Sequence, residues 1–177
     1  DETGDWGMGT FAVYLNLKIS SVVPEGEYIY FINKTEERKA VTIFMDKDTV
    51  FLVVGGDLRQ NFLARRLCDC SDFVYTLGLC EDERYPAFKE LSLDELCTIK
   101  ADVIVLPLIA TSDGENVNAP FFDKKIPLKK LLDCCHGGTL LVGGKLSREI
   151  AQIFERAGIA CCDYFLREEL IIRNCVA

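Results

Sequence analysis

The sequence predicts a three-layer α/β domain built on a doubly wound parallel sheet. From Thr49 onward, short apolar runs alternate strictly with helical stripes, the order expected when right-handed β-α-β crossovers lay helices on both faces of a sheet. The runs themselves are nearly unbroken. Val50-Phe51-Leu52-Val53-Val54 contains no polar residue, as suits a strand buried on both sides. Glycine-rich turns follow two of these runs, where an open parallel sheet places its ligands.

The first strand, 50–54, is followed by the turn Gly55-Gly56-Asp57. Apolar residues at 58, 62, 63 and 67 then form a helical stripe. Asp72 to Leu77 reads as the second strand. Leu93 to Cys97 reads as a short helix behind Ser92, an N-cap residue type. Ala101 to Leu106 is the third strand, and Pro127 to Cys135 a helix with Pro127 at its start. Thr139 to Val142 is the fourth strand. Leu146 to Ala157 is a helix stopped by Gly158, Ile159 to Asp163 the fifth strand, and Phe165 to Asn174 a last helix. The expected strand order is 2-1-3-4-5 or a close variant.

Residues 1–44 differ from the rest. Phe11 to Ile19 alternates apolar and polar residues, and Tyr28 to Ile32 and Ala40 to Phe44 are rich in aromatic and β-branched side chains. Pro24-Glu25-Gly26 and Asn33-Lys34 read as turns. The expected division is therefore a β-rich appendage or extension over 1–44 and an α/β domain over 45–177.

Composition narrows the partners. The 177 residues carry a net charge of −8 and no basic run, which argues against nucleic acid and leaves room for a small anion at a locally positive site. No apolar stretch approaches the roughly 18–20 residues of a membrane span. The nine cysteines are odd in number, and two pairs are vicinal. No C-x-x-C occurs, so zinc-ligand spacing is missing and no metal is expected. Reduced thiols acting as small hydrophobes, in a cytoplasmic protein, is the expectation.

Three turns carry the candidate chemistry. In Gly55-Gly56-Asp57-Leu58-Arg59-Gln60, two glycines allow a close backbone approach, the helix N-terminus offers free N–H groups, and Arg59 could grip a carboxylate. A tight turn with Asp57 capping the helix and Arg59 in solvent fits the same residues. Thr111, Ser112 and Asp113 follow the third strand and open a long connection to Lys125; they suit a polar pocket or a surface turn. Gly143-Gly144-Lys145 follows the fourth strand without P-loop spacing, and Lys145 suits either an anion contact or solvent. His136, the single histidine, falls at the opposite end of the sheet and is expected to cap a helix C-terminus. No nucleophile–base or paired-carboxylate constellation stands out, so the catalytic residues stay unknown.

The strand followed by G-G-D-L-R-Q, the loop I-V-L-P-L-I-A-T-S-D-G and the closing F-L-R-E-E-L-I-I-R-N together resemble the N-terminal domain of the dipicolinate synthase A-subunit, over about residues 48–177. The resemblance implies a Rossmann- or flavodoxin-like sheet. It implies the substrate side of an NADP-dependent oxidoreductase that oxidises a dihydrodipicolinate-type precursor to dipicolinate during sporulation. The partner it implies is the flavoprotein-like B-subunit of dipicolinate synthase. In the family a second domain carries G-x-G-x-x-G and the nicotinamide cofactor. That fingerprint is absent here, so no cofactor is expected in this chain and the chain alone is expected to be inactive. The implied substrate is a small dicarboxylate, with Gly55, Gly56, Asp57, Arg59, Gln60, Thr111, Ser112, Asp113, Gly143 and Gly144 as the binding candidates. A non-catalytic ligand-sensing or oligomerisation module is the alternative, and a homo-oligomer is compatible with either.

Overall fold

The computed structural model describes residues 27–31, 41–45, 47–81 and 88–166. Strands β1 (Glu27–Phe31) and β2 (Val41–Met45) form an antiparallel pair with Ile29 opposite Ile43. They coincide with two of the aromatic and β-branched runs of the N-terminal segment. The alternating run 11–19 lies outside the described residues.

The main sheet has six strands, all parallel: β3 (Val50–Val54), β4 (Phe73–Leu77), β5 (Lys89–Glu90), β6 (Val103–Val105), β7 (Leu140–Gly143) and β8 (Ala160–Asp163). Their order is β5-β4-β3-β6-β7-β8. Without β5 this is the expected 2-1-3-4-5 arrangement. The two-residue edge strand Lys89-Glu90 carries no apolar pattern, which is why periodicity does not reveal it. The chain leaves β3 toward β4 on one side and returns to β6 on the other. The topological switch point therefore lies between the carboxyl ends of β3 and β6.

Strand periodicity divides the core. Leu52 and Val54 of β3 face one layer, with Ile104, Leu131, Leu141, Ile150 and Phe154. Phe51 and Val53 face the other, with Ala64, Leu67, Val103 and Val142. Helix α1 (Leu58–Leu67) covers the second layer and α2 (Arg148–Arg156) the first.

Several helix expectations need correction. Leu93–Thr98 and Leu128–Cys134 are 3₁₀ helices. The first starts at a capping box in which Glu95 accepts from the Ser92 amide at 2.8 Å, and it closes at the β-branched Ile99 in extended conformation. Pro127 is extended and sits just outside the second helix, accepting from the Lys130 amide. Leu146 is likewise outside α2, because Ser147 is the N-cap and accepts from the Ile150 amide. Of the helix expected from Phe165, a 3₁₀ turn at Tyr164–Leu166 is described and the rest lies outside the described residues.

At the amino end of the sheet, Asp102 joins β3 to β6 by accepting from the Val50 amide at 2.8 Å. Its other oxygen lies 2.9 Å from His136 Nε2, while His136 Nδ1 accepts from the Gly138 amide. The imidazole thus bridges a carboxylate and a turn instead of capping helix carbonyls. With Nδ1 accepting, Nε2 is the ring nitrogen that faces the carboxylate.

Candidate functional site

The turns after β3, β6 and β7 meet at the carboxyl edge of the sheet, and the fold determines what each can offer. Asp57 is the N-cap of α1, accepting from the Arg59 amide at 3.0 Å. The Arg59 guanidinium in turn grips both Asp57 oxygens, with Nη2 2.7 Å from Oδ2. That side-chain pairing, first among the causes, holds the Asp57 carboxyl below its usual range. Both readings of this turn survive in part: Asp57 caps, and Arg59 is an exposed cation already holding a carboxylate.

Gly55 and Gly56 both have positive φ, at 61° and 86°. The backbone approach they permit is made by the chain itself. The Gly56 amide donates to Asn118 O at 2.8 Å. A Cβ on Gly55 would lie 2.8 Å from that same oxygen, and one on Gly56 would meet Gln60 and Pro107. Gly144 behaves alike: a Cβ there would run into the backbone of Leu108, and Gly144 O accepts from the Ala110 amide, whereas a Cβ on Gly143 would meet the side chains of Leu106 and Leu146. Three candidate residues, Gly55, Gly56 and Gly144, therefore bring the segments 107–110 and 117–119 onto the sheet edge. The space that side chains would take at the two glycines after β3 is filled by Asn118, Gln60 and Pro107.

Thr111 and Asp113 build the loop. Asp113 accepts from the Glu115 and Asn116 amides and from Asn116 Nδ2, and Thr111 accepts from the Gly114 amide. The Asn116 side chain first, and then these amides, hold the Asp113 carboxyl well below its ordinary value. A depressed folded-state pKa means the ionised carboxylate stabilises the loop above the ordinary Asp pKa of about 3.9, with the benefit lost as pH falls through the lower folded value. Asp113→Ala is expected to speed amide exchange at Glu115 and Asn116 by about tenfold at neutral pH; unchanged protection would remove Asp113 from this role.

The loop so formed walls an open depression lined by Ser112, Asn116, Asn118, Phe122, Lys124 and Lys125, among others. Its floor, Val117–Ala119, rests directly on Gly55. Lys124 and Lys125 are exposed and have no ion pair among the described residues. Beside the first turn of α1, Gln60 is 7% exposed and its Nε2 is buried without a hydrogen-bond partner; the same holds for Oδ1 of Asn61, 2% exposed. Buried polar groups are rarely left so. Asn116, Asn118 and the two lysines escaped the sequence reading. Their signal was the length of the connection that carries them. Lys145 adopts φ 54°, is exposed and lies over the Phe165 ring at 5.0 Å.

Known proteins share this framework. Two solved structures resemble the chain: the dipicolinate synthase A chain from Bacillus subtilis, with TM-score 0.62 at 23% identity, and the corresponding dipicolinate synthase A-subunit from Bacillus halodurans, with TM-score 0.64 at 18% identity. They are covered over 44% and 45% of their lengths, against 72% and 73% of this chain. The dipicolinate synthase A-subunit of Bacillus subtilis (strain 168) is 25% identical over 126 residues, which are 70% of this chain and 42% of that protein. The chain thus spans less than half the length of these relatives. No helix among the described residues is long and apolar enough to cross a membrane. Residues 50–165 match the N-terminal domain of the dipicolinate synthase A-subunit, and the chain belongs to that family.

Proposed function

We propose that this chain forms the substrate side of an NADP-dependent oxidoreductase that oxidises a dihydrodipicolinate-type precursor to dipicolinate during sporulation. Membership of the dipicolinate synthase A-subunit family supports this reaction class. The observation that carries the local reading is the depression lined by Ser112, Lys124 and Lys125, whose floor rests on Gly55 beside the switch point. A small dicarboxylate suits these groups: the lysines attract its charge, Ser112 donates a hydrogen bond, and Arg59 can exchange Asp57 for a ligand carboxylate. The nicotinamide site is assigned to a part of the protein outside this chain, and the flavoprotein-like B-subunit is the proposed partner.

The test uses the full-length protein encoded by the gene. Arg59→Ala, and separately the Lys124→Ala/Lys125→Ala pair, are each expected to lower kcat/KM about thirtyfold, equivalent to about 2 kcal/mol, with the thermal midpoint nearly unchanged. Unaltered kinetics in both variants would favour a non-catalytic sensing or assembly module.

A further inference from the structure

We propose that Cys134 and Cys135 form a two-electron dithiol site that a low-molecular-weight disulfide oxidises to a vicinal disulfide. Neighbouring side chains usually diverge, yet here both sulfurs converge on one acceptor. Cys134 Sγ lies 3.0 Å and Cys135 Sγ 3.2 Å from Leu131 O. The 3₁₀ helix 128–134 causes this, since its last turn places residues 134 and 135 over the carbonyl three and four positions back. Lys100 brings a cation to the same spot, its Nζ donating to Asp133 O at 3.0 Å and to Cys135 O at 3.4 Å. Cys134 is fully buried, whereas Cys135 is only half-buried and can meet a reagent from solvent.

The two thiols divide the chemistry. The adjacent Cys134 thiol is the first cause that lowers the Cys135 pKa, with Lys100 adding a smaller favourable charge. Cys135 is therefore the nucleophile. Its thiolate attacks one sulfur of the disulfide RSSR, forming Cys135–SR and releasing RS⁻, which takes a proton. The proton of Cys134 is held chiefly by the neighbouring Cys135 sulfur and its charge, as well as by burial. Capping Cys135 removes that neighbouring charge. Cys134 then gives its proton to solvent and attacks the Cys135 sulfur. This expels the second RS⁻, which is protonated in turn. Two protein thiols lose two electrons and two protons, and RSSR becomes two RSH. Cys161 packs on the same apolar cluster, but burial pushes its thiol up to about 12, and no change at Cys135 relieves that burial.

Trypsin isolates the pair. Cleavage after Lys130 and Lys145 gives the peptide 131–145, which contains these two cysteines and no others. The reduced chain is treated with glutathione disulfide, alkylated, digested and weighed. Peptide 131–145 is expected two hydrogens lighter, unalkylated and restored by reductant. Cys135 should react on the order of tenfold faster than Cys68, whose thiol burial pushes up. Cys134→Ser should stop at the mixed disulfide on Cys135, and Cys135→Ser should leave the peptide unoxidised. If either variant fails to fold, the wild-type peptide alone decides. The proposal is overturned if both thiols of 131–145 remain alkylatable after Cys68 and Cys97 have reacted, if Cys134→Ser leaves Cys135 untouched, or if the bridge joins Cys135 to Cys161.

Discussion

Gly144→Ala is expected to cost about 3 kcal/mol of stability and to lower the thermal midpoint by roughly 10 °C. The turn after β7 lies flat on the segment after β6. The Gly144 amide donates to Pro107 O, and Gly144 O accepts from Ala110 N. A methyl group would occupy the space of the Leu108 backbone, with its carbonyl carbon and Cα each 2.9 Å away. Backbone fixed by hydrogen bonds on both sides cannot yield as a side chain does. Gly137→Ala is the control, because nothing lies within 4 Å of the added Cβ. It should stay within about 0.5 kcal/mol of the parent. Chemical denaturation of the two variants checks the claim, and equal losses would show that the turns are not locked together.

Asp163→Ala should lose about 3 kcal/mol, for a different reason. The carboxylate at the end of β8 accepts from three backbone amides: Lys145 at 3.1 Å, Leu146 at 2.8 Å and Phe165 at 2.8 Å. It thereby holds Lys145 in the left-handed conformation that a side chain other than glycine adopts at a cost. Removing it leaves two amides of the β7 turn without their acceptor. Asp163→Asn should retain part of the stability, since one amide oxygen remains. Lys145→Gly should relieve the left-handed strain and gain up to about 1 kcal/mol. Urea midpoints of the three variants test the ordering, and a destabilised Lys145→Gly would contradict it.

The sheet was legible because its strands are covered on both faces. Residues 50–54 and 140–142 have to be apolar throughout, and the strand order follows from the crossovers. Helix type was less legible. The stripes over 93–98 and 128–134 look alike for α and 3₁₀ geometry at this length, and only the bonds closing at Ile99 and Cys135 separate them. At the candidate site, glycine pairs in sequence indicate a close approach but not what approaches. At Gly55 and Gly144 the neighbours are Asn118 and Leu108, some 60 and 40 residues away along the chain. The orphan amide of Gln60 had no sequence signal, because burial of a polar helix residue depends on tertiary packing.

The central claim is that a small dicarboxylate binds at the switch point. Its most direct test is a titration of the ¹⁵N-labelled chain with pyridine-2,6-dicarboxylate, followed by amide chemical shifts. Saturable shifts are predicted at residues 55–60, 112–119 and 124–125, while NADPH at the same concentrations leaves them unmoved. Shifts confined to other surfaces, or none at millimolar ligand, would contradict the account.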